Sequence, residues 1–331
     1  MDQQFSYEAS RDSYDDRGLA HGIPLRVHRE GHRETKGALR AQSDWNRLVS
    51  PIKGYNGGLG HKYSFMQVTV PGCLPERLEI ISYANEFAFL YDGEYLSVFL
   101  SFSFDPARSH AMVDAFGVPT SGSEEQTLSS PSSSTTSSRA NRLQARVFKE
   151  MITIDKPRAI TSMKAWSTFL QLASRSRACP ARTLREYLPM RIIDAGELIW
   201  FGTLTFGMAL TIPEDELEIC MELARPGYAA ISLTNDLFSW PKERQDAVQA
   251  KVDYVFNAVW IIMEEEGLSE TAAMQVCEGE IRRYIAEYEH ITCNAHRQQK
   301  LSRDTLAYLD AVRYSHVGNL VWSIYCPRYR M

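Results

Sequence analysis

An all-α fold is what these residues predict, on three observations. From Asn141 onward the text reads as one long helical stretch after another. The punctuation between stretches is of the helix kind, with Pro213 in a first turn and Gly267 just past a last one. No strand-and-turn series of comparable length appears, and there is no repeat with a period of about 20–50 residues.

Composition bounds the function. With 331 residues, 44% hydrophobic and 23% charged, the chain is long enough to bury a real core. A net charge of −5 leaves no broad basic surface for nucleic acid. The apolar run from Val255 to Met263 is interrupted by Asn257 and too short to span a bilayer. The opening, MDQQFSYEASRDSYDD, is not a charged-then-apolar leader. Cys73, Cys179, Cys220, Cys277, Cys293 and Cys326 are scattered without CxxC or Cys/His spacing, so they read as reduced buried thiols. The expectation is a soluble, cytoplasmic protein.

Residues 1–22 are polar and expected to be a flexible N-terminal segment, followed by a single domain over 23–331. Between 23 and 75, Pro51, Gly54, Gly57, Gly58, Gly60, Pro71 and Pro75 argue against any long element. The GYNGGLG run lacks the G-K-[ST] ending and following helix of a phosphate loop, and is rejected as a nucleotide site. A helix then starts at Pro75 with Glu76 in its first turn. Leu78, Ile81, Ala84, Ala88 and Asp92 share one face of it by their spacing of three and four. Asp92 closes that helix, after Phe87, Phe89 and Tyr91. The next run, YLSVFLSFSF, is apolar and β-prone, and SSPSSSTTSS marks a Ser/Thr-rich loop insertion at about 117–138.

Helical text resumes at Asn141, bends at Pro157, and continues through 182–190, 191–210, 214–242, 247–266, 269–297 and 304–325. The stretch ISLTNDLFSWPKE carries the chemistry. Asn235, Ser239 and Glu243 stand at i, i+4 and i+8 and drift only about 80° around a helix, so all three share a face. An amide oxygen, a hydroxyl and a carboxylate form the hard, all-oxygen set that Mg²⁺ prefers. Lys242 stands beside Glu243, able to meet a phosphate as a point charge. On spacing alone, a polar helix face with a capping Asn describes these residues equally well.

Asn235-Asp236-x-x-Ser239-x-x-Lys242-Glu243 resembles the second metal motif of class I terpene cyclases, and the surrounding text resembles the cyclase half of fungal fusicoccadiene- and ophiobolin-type synthases. The resemblance runs from about Ile23 onward, apart from a divergent stretch near 93–140. It implies a helical bundle of roughly ten helices around a deep apolar cavity. Asp92 on one wall of the mouth and Asn235, Ser239 and Glu243 on the other would bind three Mg²⁺ ions. In the text YLPMRIIDAGE it implies that Arg191 contacts a substrate diphosphate and Asp194 links to it, with Ala195 at a helix break. A planar guanidinium suits bidentate phosphate recognition, and a carboxylate at i+3 can hold it; without the resemblance the two read as a surface ion pair. Arg328-Tyr329 resembles the terminal pair that closes over the diphosphate, its plainer reading being a frayed basic tail. Lys242 would be a further diphosphate cation. The aromatics Phe87, Phe89, Trp166, Trp200, Phe201, Phe206, Phe238 and Trp322 are mostly core by default; of them Phe89 and Trp322 are the ones expected to line the cavity, where ring faces stabilise carbocations.

Where the family has an aspartate-rich motif, this chain has Asp92-Gly93-Glu94-Tyr95-Leu96. Glu94 does not replace the last acid, since two residues along a helix reach the opposite face. Gly93-Glu94-Tyr95 can be encoded GGT-GAG-TAT, which reads as a fungal-type splice donor after a G. The hypothesis is that residues 93 to about 108 derive from an intron; a cDNA that encodes the tripeptide would refute it. The implied function is cyclisation of a polyprenyl diphosphate, first of all geranylgeranyl diphosphate, to a fusicoccane-type diterpene hydrocarbon. Because the text stops where the cyclase half ends, a separate prenyltransferase is expected to supply the substrate; a homo-oligomer stays open. The alternatives are a C25 sesterterpene cyclase, a chain-elongating prenyltransferase, which would carry two aspartate-rich motifs, and an impaired helical pseudoenzyme.

Overall fold

The structure, a computed structural model, describes residues 4–52, 57–99, 134–176 and 180–330. Within them the chain forms a short antiparallel ribbon and eleven α-helices. The ribbon pairs β1 (Ser6–Glu8) with β2 (Arg26–His28), Tyr7 opposite Val27. The helices are α1 (Gly31–Leu48), α2 (Phe65–Thr69), α3 (Pro75–Phe99), α4 (Ser134–Ile154), α5 (Lys156–Ser176), α6 (Leu184–Asp194), α7 (Glu197–Gly207), α8 (Leu217–Ala250), α9 (Ala258–Glu266), α10 (Glu270–Gln298) and α11 (Arg303–Tyr325). The all-α expectation holds.

Packing sorts these helices into groups. α1 lies along α3, α5 along α7, and α8 is flanked by α10 and α11. Side-chain caps set several starts: Thr183, Asn257, Ser269 and Ser302 each accept a backbone N–H from the first turn of the helix that follows. α11 is buried along most of its length and meets α2 at Gly318. A Cβ built there would lie 2.2 Å from the carbonyl oxygen of Val68, so only glycine lets the two backbones touch. Among the described residues no helix is long and apolar enough to cross a membrane.

Several expectations are corrected. Residues 4–22 are part of the packed structure: Leu19 and Ala20 are fully buried, and β1 is held by its ladder to β2. The breakers Pro51, Gly54, Gly57, Gly58, Gly60, Pro71 and Pro75 all lie after residue 50, and ahead of them α1 forms by burying Ala38, Ala41 and Trp45 on one stripe. The break near Pro157 falls at Asp155, between α4 and α5. The α6–α7 boundary lies at Ala195–Gly196, not after residue 190, and α8 runs past 242 to Ala250 through Pro226 and Pro241. Residues 134–138 of the expected loop belong to α4, which begins at Ser134; 117–133 lie outside the described residues. Cys73, Cys220, Cys277 and Cys326 are buried free thiols as expected, whereas Cys293 is exposed.

Candidate active site

α8 presents two adjacent residues in different directions. Asn235 is partly buried, while Asp236, 100° further round, is wholly buried and faces α6. Three donors converge on the Asp236 carboxylate: the Tyr187 hydroxyl at 2.7 Å, Arg191 Nε at 2.8 Å and the backbone N–H of Ala258 at 3.0 Å. Arg191 also donates through Nη1 to Asp194 and through Nη2 to the side-chain oxygen of Asn235, both at 2.8 Å. Its guanidinium has five N–H groups, so two remain, one on each terminal nitrogen. Burial works against the charge on Arg191, but Asp236, Tyr187 and Asp194 outweigh it and hold the pKa well above its ordinary value.

The C-terminal end joins the same network. Residues Pro327–Tyr329 form a 3₁₀ turn, and the Asn235 amide nitrogen donates to the Tyr329 hydroxyl at 2.7 Å. The Arg328 guanidinium lies 5.0 Å from the ring centre of Phe89. One turn along α8, Ser239 is buried and hydrogen-bonds Glu243. Asn257, the cap of α9, donates to the carbonyl of Asp236 at 2.9 Å and to Glu243 at 3.0 Å. Burial, and after it the charge of Asp236, raises the pKa of Glu243.

The donor set fits a divalent cation. Asn235, Ser239 and Glu243 offer hard oxygen atoms on successive turns of α8. Around them one guanidinium, Arg191, stands against three carboxylates, Asp194, Asp236 and Glu243. When all are ionised, three negative charges against one positive leave an excess of two negative charges, which bound metal ions would neutralise. Among the described residues no group of three His, Cys, Asp or Glu side chains forms a metal site. A triad with a single carboxylate is not of that kind. Asp92 lies on α3, but its side chain is outside the described residues, and so are those of the residues from Gly93 to about Arg108.

Lys242 departs from expectation. It lies two turns from Asn235 on nearly the same face, yet its ammonium donates to Asp246 at 2.6 Å, one turn further on. The structure does not bring it into the network.

Of the aromatics in the sequence reading, Phe89, Trp200 and Trp322 meet, and Phe65, which that reading passed over, stands between them. Its ring centre is 4.8 Å from Trp322, 5.4 Å from Phe89 and 5.7 Å from Trp200. Phe89 and Trp322 stack at 6.0 Å, and Trp322 Nε1 donates to Gly58 O at 2.9 Å. Among the described residues these four rings form one contiguous aromatic surface drawn from α2, α3, α7 and α11. Phe87 and Trp166 belong to the core, against Trp45 and Phe148.

Asp236, Tyr187 and Asn257 are the residues that sequence reading missed. The one available signal was the acid next to Asn235, which the metal-facing stripe leaves without a role.

Residues 104–287 match the family described as terpene synthase family 2, C-terminal metal binding. The chain is 38% identical over 345 residues to the fusicoccadiene synthase of Phomopsis amygdali, covering 99% of this chain and 45% of that one. It is 40% identical over 329 residues to a bifunctional sesterterpene synthase of Aspergillus aculeatus, with the same coverage, 99% and 45%. The chain thus spans less than half the length of these relatives. Aristolochene synthase from Penicillium roqueforti has the same fold, with a TM-score of 0.66 at 18% identity over 92% of this chain and 97% of that one. The chain belongs to the terpene synthase family.

Proposed function

We propose that this chain is a Mg²⁺-dependent terpene cyclase that ionises a polyprenyl diphosphate and guides the resulting carbocation to a polycyclic hydrocarbon. The observation that carries the reading is the network Asp236–Arg191–Asn235–Tyr329, which ties α6, the motif face of α8 and the C-terminal turn into one charged mouth beside an aromatic cluster. Asn235, Ser239, Glu243 and, by resemblance, Asp92 would hold the metal ions. Bound magnesium would stabilise charge on the departing diphosphate.

The chain's own residues supply the rest. The two unspent N–H groups of Arg191 are placed for bidentate contact with phosphate oxygens, and Asp236 and Asp194 hold the guanidinium in position. Arg328 and the Tyr329 hydroxyl add a cation and a donor at the mouth. The faces of Phe65, Phe89, Trp200 and Trp322 stabilise a cation by roughly 2 kcal/mol or more where water is excluded. Loss of a proton ends the cascade.

Geranylgeranyl diphosphate and a fusicoccane-type diterpene are the first choice, supported by the likeness to fusicoccadiene synthase. The equally close sesterterpene synthase favours the C25 diphosphate as a second reading. In either case the substrate is the product of a prenyltransferase activity. Incubation with Mg²⁺ and each of the C10 to C25 diphosphates, followed by hydrocarbon extraction and mass spectrometry, should yield a cyclic C20 product. Chain-elongated diphosphates, or no product from any of them, would overturn the proposal.

A further inference from the structure

The N-terminal segment places a cation at the mouth that the motifs do not account for. The guanidinium of Arg17 lies 5.0 Å from the ring centre of Phe238. Phe238 is the residue immediately before Ser239 and three after Asn235 on α8. The segment is fixed on both sides of Arg17. Asp15 donates its backbone N–H to the Tyr325 hydroxyl at 3.0 Å, and the His316 ring meets the carbonyl of Leu19 at 3.0 Å. The Asp15 and Asp16 side chains accept the N–H groups of Arg17 and Gly18, at 2.8 and 2.9 Å. Arg17 itself takes φ +50°, a left-handed conformation that glycine would adopt more easily.

Of the other cations near the mouth, Arg328 likewise lies over a ring, that of Phe89, and two are bonded to carboxylates. Arg191 is bonded to Asp236, Asp194 and Asn235, and Lys242 to Asp246. Among the described residues the Arg17 guanidinium has an aromatic face beneath it and no carboxylate partner. An exposed, unpaired guanidinium beside the Asn–Ser–Glu face is suited to a multiply charged anion.

We propose that Arg17 is a further diphosphate-binding residue, delivered by the N-terminal segment to the mouth formed by Asn235, Ser239 and Tyr329. This rests on the diphosphate reading above. The left-handed backbone provides a discriminating variant: Arg17→Gly removes the charge while relieving the backbone, so the fold should be kept.

The test is calorimetric binding of inorganic diphosphate in the presence of Mg²⁺, with thermal melting, for the wild type, Arg17→Gly and Arg17→Lys. The Gly variant should melt no lower than the wild type and bind about tenfold more weakly. The Lys variant should recover part of that loss, and the KM for the prenyl diphosphate should follow the binding order. Diphosphate affinity within twofold of wild type in the Gly variant would overturn the proposal. So would equal weakening in both variants with a lowered melting temperature, which marks a structural role. Failure of the wild type to bind diphosphate would instead overturn the diphosphate reading itself.

Discussion

Replacing Asp236 by Asn changes one atom in a fully buried site, and the geometry says what that costs. The carboxylate accepts from Arg191 on one oxygen and from Tyr187 and Ala258 on the other. An amide has a single acceptor oxygen. Facing it toward Tyr187 and Ala258 turns its NH₂ against Arg191 Nε, donor to donor. Arg191 is then a buried cation that has lost its fully buried counter-charge. Breaking a buried pair by removing one partner costs about 3–5 kcal/mol. At about 2.1 cal/mol/K per residue, a 331-residue chain unfolds with an entropy near 0.7 kcal/mol/K, so the melting temperature should fall by about 4–7 °C. Circular dichroism melts of the wild type, Asp236→Asn and Tyr187→Phe check this, the last losing a single hydrogen bond and falling by about half as much. An Asn variant melting within about 1 °C of wild type would refute the reasoning, because Arg191 would then be held without that charge.

Three further outcomes are expected. Arg191→Lys should lower kcat/KM at least about hundredfold, since one ammonium cannot replace a planar fork bonded to three side chains; activity within about threefold of wild type would reduce Arg191 to an ordinary ion-pair partner. Asn235→Ala and Glu243→Ala should each lose turnover by more than about hundredfold while still folding, and near-normal rates at saturating Mg²⁺ in both would remove the metal-ligand assignment. His316 is fully buried and its pKa is lowered to about 4, by burial, against a hydrogen bond to the Leu19 carbonyl. The unfolded chain therefore takes up this proton first as pH falls below about 6.5, and stability is lost on acidification down to about pH 4. The contribution between pH 7 and 5 is on the order of 2 kcal/mol, so denaturant unfolding of His316→Gln should show that much less acid sensitivity than wild type. Equal pH dependence of the two would rule the residue out.

What could be read from sequence followed the helical period. Asn235, Ser239 and Glu243 were legible because their spacing alone puts them on one face. Arg191 and Asp194 were legible as a pair for the same reason, one turn apart. The partner that holds Arg191 was not, because Asp236 meets α6 only through packing of elements 45 residues apart in the chain. Phe65 was hidden for a different reason. α2 is five residues long, too short for any periodic signal, and its place among the rings depends on α3, α7 and α11. The N-terminal segment misled through composition: its buried apolar residues, Ala9, Tyr14, Leu19 and Ala20, are sparse among polar neighbours and follow neither helical nor strand spacing. Lys242 misled through position, since its face was read correctly and its nearer acid was not weighed.

The meeting of α2 and α11 at Gly318 bears on how the pocket could be redesigned. With backbone against backbone, the distance between these helices is set by main-chain atoms and by no side chain that an engineer would alter. Phe65 rides on one of them and Trp322 on the other, so exchanging either ring reshapes the lining while the frame keeps its dimensions. A panel of substitutions at those two positions would then form a calibrated series, in which a changed product skeleton reports the volume added or removed. Gly318 itself belongs outside such a library: even alanine there would push the two helices apart and move Phe65 and Trp322 relative to each other.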